Sequence, residues 1–196
     1  MPGCPVAGTI HDDIALEVKL RSPTNATGYH FNFKFYSYDF PDYVCTKYND
    51  QFVALVRPLP AGSINGNISF DSGNYPVGVH IAFFDVGDPQ GIGNYAKSCV
   101  KANNPGMAAC PQAPSPYCPS GKADLMGTYM DGTTNTFPAG ATSWLQTSAP
   151  VTGGGDVTIR FAIWDTGDHN FDSSVLVDAF QWITGGGTVK VETIKP

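Results

Sequence analysis

Apolar and polar residues alternate along several short stretches of the chain, which is the pattern of strands with one buried face. The clearest stretch is 29–36, where Tyr29, Phe31, Phe33 and Phe35 alternate with mostly polar residues. Four aromatic side chains on one face would fill much of the space between two sheets. We therefore expect this strand near the centre of the core.

The same period marks other segments, bounded by glycine, proline, asparagine or aspartate. In residues 14–20 it places Ile14, Leu16, Val18 and Leu20 inward. The other predicted strands are 52–57, 65–70, 78–85, 141–147, 157–164, 175–183 and 188–194. About nine short strands, with no convincing amphipathic helix, predict an all-β protein, an antiparallel β-sandwich of jelly-roll type.

Composition agrees with this fold and limits the partners. The 196 residues suit one domain, 1–196, with a long cysteine-containing loop at 97–122 and a terminal strand within 188–196. The net charge is −6 and the eleven basic residues are scattered, so we expect no nucleic-acid partner. No apolar run reaches the length of a membrane span, so we expect no membrane insertion.

The five cysteines predict disulfide bonds rather than a metal or redox site. None of their spacings gives the paired Cys-x2-Cys pattern of such sites. Cys45, Cys99, Cys110 and Cys118 are the disulfide candidates, and Cys4 is the odd thiol. Cys110 pairs with Cys118 or with Cys99, and Cys45 pairs with the third; the sequence leaves both open. Disulfides fit an exported protein.

An aspartate-rich loop is the main candidate for a metal site. Asp165, Asp168 and Asp172 bring three carboxylates within eight residues, and such charges repel unless a cation or water lies among them. Calcium prefers carboxylate, amide and carbonyl oxygens. Asn49 and Asp50 precede a strand that we expect beside 175–183, where they would complete the shell. The alternative is that these aspartates cap turns through hydrogen bonds.

Catalytic motifs are absent from the sequence, and we expect no enzyme. There is no Gly-x-Ser-x-Gly elbow, no His-Glu-x-x-His and no phosphate loop. The four histidines are best explained as surface residues. Asp85 with Asp88 and Asp12 with Asp13 are weaker candidate cation pairs. A calcium-stabilised glycoside hydrolase that uses two of the many aspartates is the least favoured alternative.

Aromatic residues crowd the connection after the second predicted strand. Tyr36, Tyr38, Phe40, Tyr43 and Tyr48 fall within thirteen residues, and we expect them to be exposed. Aromatic rings stack on sugar faces or become buried at protein interfaces. Tyr38, Tyr43 and Tyr48 are therefore the candidate ligand-binding residues; the alternative is that these rings belong to the core.

Three stretches, 39–55, 65–71 and 159–178, resemble the choice-of-anchor family of bacterial surface domains. They read Asp-Phe-Pro-Asp-Tyr-Val-Cys-Thr-Lys-Tyr-Asn-Asp-Gln-Phe-Val-Ala-Leu, Asn-Gly-Asn-Ile-Ser-Phe-Asp and Ile-Arg-Phe-Ala-Ile-Trp-Asp-Thr-Gly-Asp-His-Asn-Phe-Asp-Ser-Ser-Val-Leu-Val-Asp. The resemblance implies an exported β-sandwich module at the bacterial cell surface or outside the cell. It does not supply an active site.

Together these features favour a non-catalytic, calcium-stabilised adhesive or carbohydrate-binding module, with a glycan or a surface protein as its ligand. The alternative is a structural subunit that assembles with copies of itself through strand edges into a fibre or lattice. The segment 188–194, after the glycines 185–187, is the predicted donated strand.

Overall fold

The computed structural model describes residues 8–40, 43–44, 46–79, 83–87, 120–133, 137 and 139–196. Regular structure in these residues consists of ten strands and one short 3-10 helix, Ala123–Leu125. The strands are β1 (Ile10–Arg21), β2 (Gly28–Ser37), β3 (Gln51–Arg57), β4 (Val77–Gly78), β5 (Phe84–Gly87), β6 (Gly140–Thr142), β7 (Leu145–Pro150), β8 (Asp156–Thr166), β9 (Ser173–Ile183) and β10 (Glu192–Ile194). No helix in this part of the chain is long and apolar enough to cross a membrane.

The strands form two antiparallel sheets, which confirms the predicted antiparallel β-sandwich. In the first sheet the order is β1-β8-β3-β4. In the second, β2 pairs with β9 on one side and with β7 and then β6 on the other, and β10 and β5 lie outside those two. The described residues form ten strands rather than about nine, and the jelly-roll connection is not confirmed.

The aromatic face of β2 fills the centre of the core, as its alternation predicts. The side chains of Tyr29, Phe31, Phe33 and Phe35 are fully buried. The ring of Phe31 meets that of Phe161 edge to face at 5.0 Å, and the other rings of this face pack among the same core residues. Because these rings join both sheets, β2 fixes the position of the second sheet against the first.

Two predicted strands are interrupted in the structure. Residues 141–147 divide into β6 and β7, because the Ser143 N–H and Oγ both turn to the carboxylate of Asp85, at 2.6 Å. Residues 78–85 correspond to β4 and β5, and residues 80–82 between them lie outside the described part.

The predicted strand at 65–70 is replaced by isolated bridges. Asn67 is the cause, because its side-chain Oδ1 accepts from the backbone N–H groups of Ala54 and Ser69, each at 3.0 Å. An amide side chain thus supplies hydrogen bonds that a neighbouring strand would otherwise make.

β1 has the predicted inner face, but part of that face is uncovered. Leu16 pairs with Phe161 and Ile14 with Ile163, so both point toward the opposite sheet. Even so, Ile14 is 68% exposed and Leu16 is 60% exposed. The prediction that they are buried is wrong, because among the described strands β1 lies at the edge of the first sheet and β9 at the edge of the second.

The C-terminal strand pairs within its own chain. Only Glu192–Ile194 is regular strand, and it pairs with β7. Thr193 Oγ1 hydrogen-bonds Thr147 Oγ1 at 2.8 Å, and Lys195 Nζ donates to Asp85 Oδ2 at 2.9 Å. The segment predicted as a free donated strand is thus seated against its own sandwich.

All five cysteines lie outside the described residues, as do residues 97–119 of the predicted loop. The disulfide predictions for Cys45, Cys99, Cys110 and Cys118 stay predictions.

Candidate functional site

Three carboxylates meet at one end of the sandwich, where strands of both sheets begin or end. Asp39 follows β2, Asp50 precedes β3 and Asp165 lies near the end of β8. Their exposed fractions are 3%, 1% and 9%, so all three are buried. We call these three residues the acidic corner.

Asp50 is the central hydrogen-bond acceptor of the acidic corner. Its Oδ2 accepts from Ser173 Oγ at 2.6 Å, and its Oδ1 accepts from the Thr166 N–H at 3.3 Å. The side chains of Asp39 and Asp165 also hydrogen-bond it. Because an ionised carboxylate can only accept, hydrogen bonds between carboxyl groups require protons. The corner therefore shares protons around Asp50.

Burial raises the pKa of each carboxyl group in the corner, because a buried carboxylate loses its hydration. Burial and then repulsion from Asp50 raise the pKa of Asp39 to about 9. The same two causes, with further repulsion from Asp172, raise the pKa of Asp165 to about 7. Burial also raises the pKa of Asp50, against the opposing effect of its hydrogen bonds. Asp39 consequently keeps its proton at neutral pH.

No basic side chain neutralises the corner within the described residues. The ion pairs between described residues involve other carboxylates: Asp12, Asp85, Asp124 and Asp156. Only protons or a bound cation are then left to neutralise the three carboxyl groups, which lie very close to one another. Hence the charge state of the corner depends on pH and on any cation that reaches it.

The structure brings two of the five predicted calcium ligands into the acidic corner, Asp50 and Asp165. Asp39, the third member, was not among the predicted ligands. Its position in the sequence could have indicated it, because Asp39 comes just after the buried aromatic strand and opens the 39–55 stretch of the family resemblance.

The other predicted ligands lie near the corner but make different contacts. Asp168 Oδ1 accepts from the Asn170 N–H at 2.9 Å, as the turn-capping alternative expects, and Asp172 is exposed. Asn49 is buried, and its N–H donates to Thr166 Oγ1 at 2.7 Å. In the described ranges, no group of three or more His, Cys, Asp or Glu side chains is arranged to hold a metal ion. Calcium binding here stays a prediction.

The weaker cation pairs are only partly described. Asp85 accepts from Ser143 and Lys195; burial alone would raise its pKa, but these hydrogen bonds outweigh burial and lower it. Asp88 lies outside the described residues. Asp12 Oδ2 is 2.7 Å from Nδ1 of His169. Asp85 and Asp12 therefore already have partners.

A group of aromatic rings lies beside the acidic corner. The Tyr43 ring meets the Tyr48 ring edge to face at 5.3 Å and the Phe171 ring at 5.4 Å. The Phe137 ring packs on Phe171 at 5.0 Å and is 53% exposed; the other three rings are half-buried. Lys47 Nζ lies 4.9 Å from the centre of the Tyr48 ring. We call Tyr43, Tyr48, Phe137 and Phe171 the aromatic patch.

The expectation that the aromatic residues of this connection are exposed is wrong for three of them. Tyr36, Tyr38 and Phe40 are buried, with exposed fractions of 8%, 3% and 2%. Tyr38 Oη donates to the backbone oxygen of Tyr129 at 2.6 Å, so this ring belongs to a small second core. Of the predicted ligand-binding residues, Tyr43 and Tyr48 retain partly exposed rings.

Two interlocking loops adjoin the acidic corner and carry three of the four rings of the patch, Tyr43, Tyr48 and Phe171. Asp39 and Asp50 bound the first loop, and its Tyr43 N–H donates to the Asp39 carbonyl at 2.8 Å. The second loop holds Phe171, and its Gly167 has a φ of +95°, a conformation that favours glycine. A Cβ at Gly167 would lie 2.8 Å from Cδ1 of Tyr48. The glycine thus lets the two loops approach each other.

Replacing this glycine should loosen the two loops. We expect Gly167→Ala to lower the free energy of unfolding by about 2 kcal/mol, because it adds backbone strain and a clash with Tyr48. Gly186→Ala is the matched control, since Gly186 also has positive φ, +74°, but no neighbour within 4 Å of an added Cβ. Chemical denaturation of both variants measures the difference; equal losses would contradict a role for the Tyr48 contact.

The fold, the acidic corner and the aromatic patch define a β-sandwich module whose distinctive chemistry is gathered at one end. The sequence profile of the Choice-of-anchor L domain matches residues 9–181, so the chain belongs to this family. The match confirms the resemblance, and the family places the chain among bacterial surface or exported proteins. No curated protein and no solved structure matches the chain.

Proposed function

We propose that the chain is a non-catalytic binding module of a bacterial surface, with carbohydrate as its ligand and the aromatic patch as its binding face. The observation that carries the proposal is the patch itself: four adjoining rings, all partly exposed, three of them on the two interlocking loops. Half-exposed tyrosine and phenylalanine rings suit the apolar faces of sugar rings. Exposed Lys47, Asn170 and Asp172 border the patch and supply polar groups for hydroxyls.

The second part of the proposal is that calcium stabilises the module at the acidic corner. Asp39, Asp50 and Asp165 offer the hard carboxylate oxygens that calcium prefers. Asp168 and Asp172 add negative charge, since the first raises the pKa of Asp39 and the second that of Asp165. Calcium would have to displace the shared protons, so its binding should strengthen with pH.

The corner is poorly suited to glycoside hydrolysis. Its carboxyl groups are almost fully buried, whereas a catalytic acid must touch the sugar. Asp39 and Asp50 also hydrogen-bond each other, while the carboxylates of glycosidases stand about 5 Å or more apart to flank the scissile bond. These contacts favour a structural role for the corner beneath a binding face.

A glycan array, followed by calorimetric titration of each glycan that binds, tests the binding proposal. We expect Tyr43→Ala and Tyr48→Ala to weaken binding at least about tenfold, since tyrosine is enriched among the interface residues whose truncation costs about 2 kcal/mol or more. Tyr129→Ala is the control, because this ring is 62% exposed and lies outside the patch. An array without binding, or equal binding by all variants, would overturn the proposal.

A further inference from the structure

The free edge of β1 exposes large apolar side chains in the described sandwich: Ile10, Ile14 and Leu16 are each at least 60% exposed. β1 pairs with β8 alone, so its outer row of N–H and C=O groups has no strand partner in the described part. Beside this edge, the two sheets part to form a groove of about 440 Å³. Its apolar lining comes from Ile14, Leu16, Phe161, Ile163, Val175 and Val177.

This edge carries charged residues on its outer face, Glu17, Lys19 and Arg21, but between Ile14 and Arg21 it has no proline and no inward-pointing charge. Soluble proteins commonly protect an edge strand with a bulge, a proline or a charged residue on its inner face. From Ile14 to Arg21 the pairing of β1 with β8 is regular, and the inner-face residues are all aliphatic. The bulge lies before this stretch, between His11 and Ile14. A regular edge of eight residues is therefore open to another strand.

The charges along β1 are complementary to those of a second β1 strand in one antiparallel register. When Val18 faces itself across a two-fold axis, Glu17 of each copy faces Lys19 of the other. On the inner face, Leu16 of each copy faces Leu20 of the other. Opposite charges and paired aliphatic side chains both stabilise neighbouring strands. No like charges face each other in this register.

Neighbouring registers fit less well. A pairing centred on Glu17 places that carboxylate opposite its own copy, which is repulsive. A pairing centred on Leu16 needs Asp13 to face Lys19, but Asp13 belongs to the irregular stretch between His11 and Ile14. Sliding one strand by a single residue relative to the other would place inner-face residues opposite outer-face residues.

We propose that two copies of this chain associate through β1 about Val18, so that their first sheets join into one eight-stranded sheet. The interface covers Leu16 and the free backbone edge, and it brings the two apolar grooves together under the seam. The proposal goes beyond the binding function and is independent of it, because the aromatic patch is not part of β1. Two linked copies would present two binding faces.

Sedimentation equilibrium of the full chain tests the association. We expect a dimer whose fraction rises with protein concentration. The sample must run as a single chain on a non-reducing denaturing gel, so that copies linked by disulfide bonds are excluded. Leu16→Lys should abolish the dimer, because it puts a charge on the inner face of the edge. Leu59→Lys is the control, since Leu59 is 68% exposed but lies outside the strands. A monomeric wild-type chain, or equal effects of both variants, would overturn the proposal.

Charge reversal tests the register. Glu17→Lys and Lys19→Glu should each weaken the dimer about tenfold, because each sets two like-charged pairs across the seam. The double variant should return to within about threefold of the wild type. Because Lys19 Nζ also lies 3.4 Å from Asp156 in its own chain, melts of each variant check that the fold is retained. Folded single variants without rescue in the double variant would overturn the Val18 register.

Discussion

Raising the pH from about 5 to about 8 in EDTA is expected to lower the stability of the module by about 3 kcal/mol, or about 8 °C in the melting temperature. The folded chain holds protons on Asp39 and Asp165, whose pKa values rise from 3.8 to about 9 and about 7. The unfolded chain releases these protons above its ordinary pKa. Stability is thus greatest at low pH and falls as the pH rises through the two folded-state values.

The expected loss is smaller than the two raised pKa values would give if their effects were simply added. Raising the pKa of one carboxyl group by 1 corresponds to about 1.4 kcal/mol. Asp165 is the least buried of the three carboxyl groups, with 9% of its surface exposed, so water screens its interaction with Asp50 and reduces this figure. Thermal melts across the pH range, followed by circular dichroism, measure the slope. A melting temperature that does not change with pH would contradict the shared protons of the acidic corner.

Calcium should reverse the loss at high pH. A cation that binds only the folded chain stabilises it, and at about pH 8 fewer protons compete for the carboxylates than at about pH 5. We expect millimolar calcium to raise the melting temperature by several degrees at the higher pH and little at the lower pH. Magnesium is the control ion. If stability falls with pH and calcium has no effect, the corner is neutralised by protons alone and the calcium proposal is wrong.

Hydrophobic periodicity predicts the centre of this fold better than its edges. The rings of Phe31, Phe33 and Phe35 alternate with polar residues and are buried, because β2 has paired strands on both sides and a sheet above it. Ile14 and Leu16 show the same alternation and yet remain exposed. Periodicity identifies the face of a strand, but burial depends on how far the opposite sheet extends, which is a long-range property.

The candidate site was only partly predictable for a similar reason. Asp50 and Asp165 stand at the ends of recognisable strands, so their proximity follows from strand pairing. Asp39 comes from the other sheet, and only the packing of the two sheets brings it to Asp50. In the sequence Tyr38 is one of several loop tyrosines, but its hydroxyl group finds a buried acceptor in Tyr129, far along the chain. Contacts between distant segments decide both cases.

Single amide substitutions should separate the roles of the two most buried carboxyl groups. Asp39→Asn removes a group that is already protonated at neutral pH, and its amide can still donate to Asp50. We expect this variant to be more stable than the wild type at about pH 8, by about 2 kcal/mol, and to lose most of the fall in stability with pH. Melts in EDTA at both pH values measure the change.

Asp50→Asn should have the opposite effect. Its amide nitrogen cannot accept hydrogen bonds, so Ser173 Oγ or the Thr166 N–H loses its buried acceptor. We expect a loss of about 3 kcal/mol near pH 5, since leaving buried polar groups unpaired is costly. Asp13→Asn, on the exposed edge strand, is the control and should change the stability neither at about pH 5 nor at about pH 8.

The contrast between the two variants distinguishes a shared proton from simple repulsion. Two buried carboxylates that were both ionised would lose repulsion in either variant, so both substitutions would stabilise the chain at high pH. A protonated Asp39 that donates to an accepting Asp50 instead makes the substitutions act in opposite directions. If Asp39→Asn destabilises the chain at about pH 8 as much as Asp50→Asn does, the proton is not held on Asp39. A group other than Asp39 would then have to donate that hydrogen bond to the Asp50 carboxylate.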